Sequence, residues 1–300
     1  MARRRTAPIE LSSLAEAPKR LASRLRKDAF PLLLVIAFGL GALLAAAVPR
    51  PIVGLITLND AIYWYTAQDM IEQIRYARDD SRVRAVVLVL DSPGGTVTDT
   101  EAVYLELARL REVKPVVAMI QGLGASGAYY LSVGTDHIVA GPNANVGNVG
   151  VISQLPPEPA IYEDIVSTGP YKLWGSPRDT VLREMEAIKQ GFYEAVQLGR
   201  GGALRLDREY LLRGQIWQGN EALRLGLVDE LGSQSTAIER AAALARISNY
   251  EVRNLRTLAG LPDQVPYPFF MLTEDGRSTA LPRDPGIYLL FIPPAAGAFR

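Results

Sequence analysis

The sequence contains no cysteine and a single histidine, His137, among its 300 residues. The absence of cysteine excludes disulfides, thiol catalysis and thiolate metal sites, and one histidine excludes a metal site built from several imidazoles. Basic and acidic residues are equal in number, 32 of each, which argues against a nucleic-acid partner bound through bulk positive charge. A general base must therefore be His137, a lysine or a carboxylate, and no metal or organic cofactor is indicated.

The balanced total conceals a basic N-terminal segment. Residues 1–29 carry eight Lys and Arg side chains against three acidic ones, and Phe30–Val48 then runs for nineteen residues without a charge. A helix of that length spans about 28 Å, close to the roughly 30 Å hydrocarbon core of a bilayer. We therefore expect a cytoplasmic tail over 1–29, a single transmembrane helix over 30–48, and an extracytoplasmic domain.

Two other interpretations of the apolar segment stay open. The small residues Ala45, Ala46 and Ala47 satisfy the cleavage rule of a signal peptide, but the apolar run exceeds the usual 7–15 or so residues of such a peptide. A buried core helix is the third interpretation, which the absence of any interrupting polar residue disfavours. The length favours an uncleaved anchor.

From Ile52 onward, short apolar runs alternate with segments of helical periodicity, which predicts an α/β fold with parallel strands buried on both faces. The predicted strands are Ile52–Leu58, Ala85–Leu90, Val116–Ile120, Ile138–Ala140 and Val149–Ile152, with a further one at Ile287–Ile292. The predicted helices are Thr66–Arg78, one that carries Val103, Leu107 and Leu110 on one face, one around 181–197, and Gly219–Leu225 closed by Gly226.

Two glycine-rich turns, Asp91–Gly95 and Gln121–Gly127, each follow a buried strand and precede a helix. In such sheets, ligands bind at the carboxyl ends of the strands, where helix N-termini present free N–H groups. Ser126 stands at the second strand-to-helix corner, where a nucleophile would be exposed and neighbouring amides could hold an oxyanion. The alternative is two tight connections in which Ser126 is only a helix N-cap. Asp91 is expected to accept hydrogen bonds from backbone N–H groups.

Three blocks of sequence are recognisable: Val87–Gly95 (VLVLDSPGG), residues 122–152 (GLGASGAYYLSVGTDHIVAGPNANVGNVGVI) and residues 214–232 (GQIWQGNEALRLGLVDELG). Together they resemble the signal peptide peptidase A family, membrane-anchored serine peptidases of the Clp protease/crotonase fold. The resemblance implies such a domain of repeated ββα units over 52–245, followed by a C-terminal extension, 246–300. It also implies Ser126 as the nucleophile and the backbone N–H groups of Gly95 and Gly127 as the oxyanion hole.

The family's general base is a lysine in a G-x-x-K block, which maps to Lys172, 46 residues after Ser126. A lysine can serve only if burial lowers its pKa far below about 10.4. Where family members carry a serine that hydrogen-bonds the lysine, this chain has Asn148, whose carbonyl oxygen could accept the same bond. This chain thus departs from the family at the group that would orient the base.

Other polar residues in this region are expected not to act as the catalytic base. Arg178 stays protonated near neutral pH and is excluded as a base, although it could bind a carboxylate. His137 is expected at the surface rather than in catalysis, and Lys189 on an exposed helix face. Tyr129 and Tyr130 are expected to pack.

The sequence thus predicts a serine endopeptidase that degrades small hydrophobic peptides, such as cleaved signal peptides, near the membrane. The resemblance implies a ring-shaped homo-oligomer in which the base could come from a neighbouring protomer. The first alternative is a pseudopeptidase, a scaffold or peptide-binding membrane protein that lacks a working base, favoured by Asn148. The second is acyl-CoA chemistry on the related crotonase fold, which export and the Ser126 block disfavour.

Overall fold

The computed structural model describes residues 31, 33–41, 43, 49–154, 166–169, 171–174, 177–262, 270–272, 278–282 and 286–292. The chain divides into two compact units, residues 1–49 and 50–300. In the first unit, residues 31, 33–41 and 43 are helical. No helix among the described residues is both long and apolar enough to cross a membrane. The predicted tail, and parts of the predicted transmembrane helix, lie outside the described residues.

The second unit is called the main unit below. Its strands are β1 (Ile52–Leu58), β2 (Val83–Ser92), β3 (Gly94–Thr96), β4 (Val116–Ala125), β5 (His137–Ala140), β6 (Asn145–Gly147), β7 (Ile152–Gln154), β8 (Ile216–Gln218), β9 (Glu230–Leu231), β10 (Glu251–Asn254), β11 (Phe270–Leu272), β12 (Ser278–Pro282) and β13 (Gly286–Leu290). Its helices are α1 (Trp64–Asp79), α2 (Val97–Arg111), α3 (Gly127–Val133), α4 (Tyr171–Trp174), α5 (Arg178–Arg200), α6 (Arg208–Leu211), α7 (Gly219–Arg224), α8 (Gln234–Leu244) and α9 (Leu255–Leu258), with a 3₁₀ turn at Gly201–Ala203.

An eight-stranded sheet forms the centre of the main unit. Its strands follow the order β10-β1-β2-β4-β5-β9, and neighbours along this path are parallel. The far end of β4 also pairs in parallel with β6, which in turn pairs antiparallel with β8. Helices connect the parallel strands, so the predicted α/β class is confirmed. A separate antiparallel sheet of three short strands has the order β3-β13-β7.

Helices cover both faces of the main sheet, which explains why the middle parts of its central strands, Ala85–Leu90 and Val116–Ile120, are apolar on both faces. On one face, Leu88 and Ile120 pack with side chains of α1, α2, α3 and α5 in the larger core cluster. On the other face, Val87 and Met119 pack against the alanines of α8. Alternate residues of β2 and β4 thus point to opposite cores, as strand geometry requires.

Most predicted elements are confirmed with ends shifted by a few residues, and two expectations are wrong. The strand predicted at Val149–Ile152 is absent: the chain forms β6, breaks, and resumes as β7. The break follows from Asn148, whose φ of 57° lies in the left-handed region and cannot continue a strand. The glycine-rich stretch after Ile120 is not all turn, because β4 continues to Ala125 and gains β6 as a new neighbour.

Arg200 and Asp229 form an ion pair that joins the end of α5 to the segment before β9. The guanidinium nitrogens lie 2.6 and 2.9 Å from the two carboxylate oxygens, and the Ile138 N–H donates to Asp229 at 2.8 Å. Burial alone would raise the pKa of Asp229, but the hydrogen bonds and charge of Arg200 outweigh it and hold this pKa below its usual value. The ionised carboxylate therefore stabilises the fold.

We expect Asp229→Asn to lower the free energy of unfolding by about 1–3 kcal/mol at neutral pH. Because the folded-state pKa is the lower one, this stabilisation is present above the unfolded pKa of about 3.9 and is lost as pH falls through the folded-state pKa. Urea unfolding at about pH 7 and about pH 3 should show the difference shrinking in acid. The exposed Asp179→Asn serves as control, and an Asp229→Asn loss of equal size at both pH values would contradict the account.

Candidate active site

The turn after β2 brings backbone unusually close to backbone. Gly94 has a φ of 91°, and a Cβ at this position would clash with the Leu289 carbonyl oxygen and lie 2.6 Å from the Gly127 nitrogen. A Cβ on Gly95 would clash with the carbonyl of Ile62, which pairs with Gly95 in a short parallel bridge. Glycine is therefore required at both positions by close approach, and at Gly94 also by conformation.

Ser126 occupies the corner between β4 and α3 in a strained conformation. Its φ of 53° and ψ of −117° are unusual for a residue with a side chain. Its N–H donates to the Gly147 carbonyl at 2.8 Å, and its carbonyl accepts from the Tyr130 N–H at 2.8 Å. The hydroxyl makes no cap bond to the helix and, among the described residues, has no hydrogen-bond partner, although Ser126 is only 1% exposed. The simple N-cap interpretation therefore fails.

The two turns meet around Ser126. The Gly127 nitrogen lies against the Gly94 backbone, and a Cβ on Gly127 would lie 2.9 Å from Thr100 Oγ1 and 3.1 Å from the Leu289 carbonyl oxygen. The predicted group of Ser126, Gly95 and Gly127 is thus brought to one place. Backbone N–H groups next to a buried, unpartnered hydroxyl form the arrangement that stabilises an oxyanion in acyl transfer.

Asn148 lies close to Ser126 through its neighbour Gly147, which accepts the Ser126 N–H. Its own Nδ2 donates to the Gly214 carbonyl at 2.7 Å, and its N–H donates to the Gln215 carbonyl at 2.7 Å. Among the described contacts, no donor reaches Oδ1. An acceptor is therefore available at the position where the resemblance implies a base-orienting group.

Among the described residues, no hydrogen bond joins Lys172 to Ser126. It lies on the four-residue helix α4, its side chain is exposed, and its N–H donates to the Gly169 carbonyl at 3.2 Å. In the part of the chain that the structure describes, its ammonium makes no hydrogen bond or ion pair. The apolar enclosure expected for a lysine base is not formed by the described residues of one chain.

Comparisons with known proteins place parts of the chain beside two protease families. Residues 108–248 match the model of peptidase family S49, and residues 53–146 match that of the Clp protease family. The chain is therefore similar to peptidase family S49 over residues 108–248. Its resemblance to signal peptide peptidase A is thereby confirmed, and the Clp match fits the observed α/β sheet.

Individual relatives cover parts of the chain. Protease 4 of Salmonella typhi is 32% identical over 193 residues, 60% of this chain and 31% of that protein. The chloroplastic serine protease SPPA of Arabidopsis thaliana is 31% identical over 195 residues, 60% of this chain and 29% of that protein. A provisionally named protease of Methanocaldococcus jannaschii is 33% identical over 208 residues, 65% of each chain. The chain thus spans between about a third and two thirds of these relatives.

Several residues of the main unit have structural roles, as expected. Asp91 Oδ1 accepts the Leu123 N–H at 2.9 Å. Tyr129 is fully buried, with its hydroxyl donating to the Leu227 carbonyl at 2.9 Å, and Tyr130 packs between two aromatic rings. Burial raises the pKa of Tyr130 to about 12, so its hydroxyl stays protonated.

His137 Nε2 lies 3.1 Å from Glu230 Oε2 in a half-buried cluster, and this contact gives the histidine a structural role.

Sequence reasoning missed one part of the site. Strand β13, foreseen only as an added strand without a role, lies beside β3, with Leu289 opposite Gly95. No local signal in residues 286–290 indicates this pairing, because its partners lie nearly two hundred positions earlier in the chain.

The unpartnered hydroxyl predicts an unusual stability effect. We expect Ser126→Ala to leave the free energy of unfolding within about 0.5 kcal/mol of wild type, or to raise it, since no hydrogen bond is lost. The matched control Ser92→Ala should lose about 1–3 kcal/mol, because Ser92 Oγ accepts the buried Gly94 N–H at 3.2 Å. Urea unfolding measures both, and a large loss in Ser126→Ala would show that the hydroxyl has a structural partner.

Proposed function

We propose that the main unit is a serine endopeptidase that cuts small hydrophobic peptides, such as cleaved signal peptides. The observation that carries the proposal is the buried, unpartnered hydroxyl of Ser126, held in a strained turn beside the N–H groups of Gly95 and Gly127. Strain at a polar residue persists where function requires that geometry. The names of the relatives, which include serine protease and Protease 4, support the same class of reaction.

In the proposed mechanism, Ser126 Oγ attacks the carbonyl carbon of the scissile peptide bond. The N–H groups of Gly95 and Gly127 stabilise the negative charge that develops on the carbonyl oxygen, an effect worth about 100–1000-fold in rate per donor in other acyl transferases. Lys172, in its neutral form, takes the serine proton and returns it to the leaving amine. Water then hydrolyses the acyl-enzyme by the reverse sequence of proton transfers.

We propose further that Lys172 reaches the serine of a neighbouring protomer in a ring-shaped homo-oligomer. Support comes from its exposure and from the lack of any contact with Ser126 in the described part of one chain. Apolar side chains near it are also exposed: Val166 is 96% exposed and Tyr171 is 59% exposed. A neighbouring protomer that covers these side chains would also remove the lysine side chain from solvent, as a lysine base requires.

We propose a membrane location as well. The basic segment 1–29 followed by nineteen uncharged residues supports a single-pass anchor with the main unit outside the cytoplasm. This placement would present the site to peptides released at the membrane.

Fluorophosphonate labelling tests the serine and the lysine together. We expect wild-type protein to be labelled, and labelling to disappear in Ser126→Ala and in Lys172→Met. Lys189→Met, which changes a lysine paired with Glu186 on α5, is the matched control and should label normally. If the base acts between protomers, mixed oligomers of Ser126→Ala and Lys172→Met should regain labelling. A folded wild-type oligomer that does not react would contradict the peptidase proposal.

A pseudopeptidase that binds peptides without cutting them is the second candidate, and Asn148 is the observation that favours it. An amide oxygen accepts a hydrogen bond but cannot donate one, so a lysine held by Asn148 loses the two-way partner that a hydroxyl provides.

Replacement of Asn148 by the family's residue separates the two candidates. If the chain is a peptidase, we expect Asn148→Ser to shift the pH profile of labelling while wild type remains reactive. Labelling that appears only in Asn148→Ser would favour the pseudopeptidase. The same rate and pH profile in both proteins would contradict the base-orienting role of residue 148.

A further inference from the structure

The strand β13 fills the space between two strands that border the candidate active site. It pairs antiparallel with β3, where Leu289 lies opposite Gly95 and Leu290 opposite Gly94, and with β7, where Tyr288 lies opposite Ile152. Without β13, β3 and β7 would each expose an unpaired edge. Such edges accept an extended peptide by main-chain hydrogen bonding.

The backbone of β13 reaches the oxyanion site itself. The Leu289 carbonyl oxygen lies against Gly94 and Gly127, and the Phe291 N–H donates to the Pro93 carbonyl at 2.7 Å. In an antiparallel ladder, hydrogen-bonded pairs alternate with pairs that make none. The Phe291–Pro93 pair is hydrogen-bonded. The Leu289–Gly95 pair lies two residues further along the ladder, so it is a hydrogen-bonded pair as well. The Leu289 carbonyl thus lies where the carbonyl of a substrate would meet the oxyanion donors.

The side chains of β13 enter apolar surroundings on both faces. Leu289 is 1% exposed and joins the large core cluster, whereas Tyr288 and Leu290 join a smaller cluster with Ala61 and Tyr63. The groove that β13 occupies therefore suits an extended, apolar segment whose alternate side chains enter apolar pockets on opposite faces. These are the features required for hydrophobic peptides in the proposed function, on which this inference rests.

We propose that Gly286–Leu290 is a built-in, substrate-like occupant that closes the peptide groove of the main unit. A substrate gains access by displacing β13 and pairing with β3 and β7 in its place. The position of Leu289 assigns an apolar residue to the site immediately before the attacked bond. Because the occupant is covalently attached, its effective concentration is of millimolar order, so peptides that bind weakly are excluded.

The rate of fluorophosphonate labelling of Ser126 in the full-length chain measures groove opening. We expect Leu289→Asp, which puts a charge into the core pocket, to release β13 and speed labelling by about ten-fold or more, as expected when a mostly closed site becomes mostly open. Leu105→Asp is the matched control on α2, where the side chain is 61% exposed, and should label at the wild-type rate. Tyr288→Ala, a milder change at the second pocket, should speed labelling in the same direction.

A peptide of sequence Gly286–Ile292, flanked by lysines for solubility, provides a second measurement. At about millimolar concentration it should slow labelling of Leu289→Asp but not of wild type, whose groove is already filled. The same peptide with Asp at the Leu289 position should have no effect. Equal labelling of wild type, Leu289→Asp and Tyr288→Ala would overturn the inference.

Hydrogen exchange separates this inference from the proposed function. Release of β13 should speed exchange of the Gly95 amide in Leu289→Asp and leave it unchanged in Leu105→Asp, whether or not Ser126 reacts. Faster exchange without labelling in any variant would support the occupant and contradict the peptidase. Labelling with unchanged Gly95 exchange would support the peptidase and overturn the occupant.

Discussion

The close packing of two glycine-containing turns around Ser126 is the constraint on which the candidate site depends. Because β2 and β4 are parallel neighbours, their carboxyl ends meet at one edge of the sheet, and α2 and α3 start close to that edge. A side chain at Gly94 or Gly95 would hold the turns apart. The contact places Gly127 beside Gly94 and fixes the strained corner at Ser126, so the fold and the site share one geometric requirement.

The parts of the structure that depend on local pattern could be predicted from the sequence. Apolar runs such as Ala85–Leu90 indicate strands covered on both faces, and glycines after such strands indicate a ligand-binding edge. This reasoning, with the family resemblance, reached Ser126, Gly95 and Gly127. It did not find the break between β6 and β7, which depends on the positive φ that Asn148 adopts.

Long-range pairing was the other feature that sequence could not supply. The position of β13 depends on its pairing with β3 and β7, which lie far from it in the sequence. Lys172 illustrates a related limit: if it acts on the serine of another protomer, as proposed, its position along one chain cannot reveal that partner. Both cases concern partners that are distant in sequence or lie on another molecule.

The burial of the Ser126 hydroxyl and the position of β13 are explained together. Ser126 is 1% exposed, and β13 presents the Leu289 carbonyl beside the glycines whose N–H groups a substrate would use, so the proposed displacement of β13 would open the site. Such a site is assembled in advance, with its donors already ordered by the turns, and it needs only an exchange of strands and a base to react.

A structure of the full-length protein with an apolar peptidyl phosphonate bound to Ser126 tests the central claim most directly. The account predicts a phosphonyl oxygen within hydrogen-bond distance of the Gly95 and Gly127 nitrogens, and a ligand strand in the place of β13 between β3 and β7. An adduct whose oxygen points away from both glycines, or one that forms while β13 keeps its place, would contradict it.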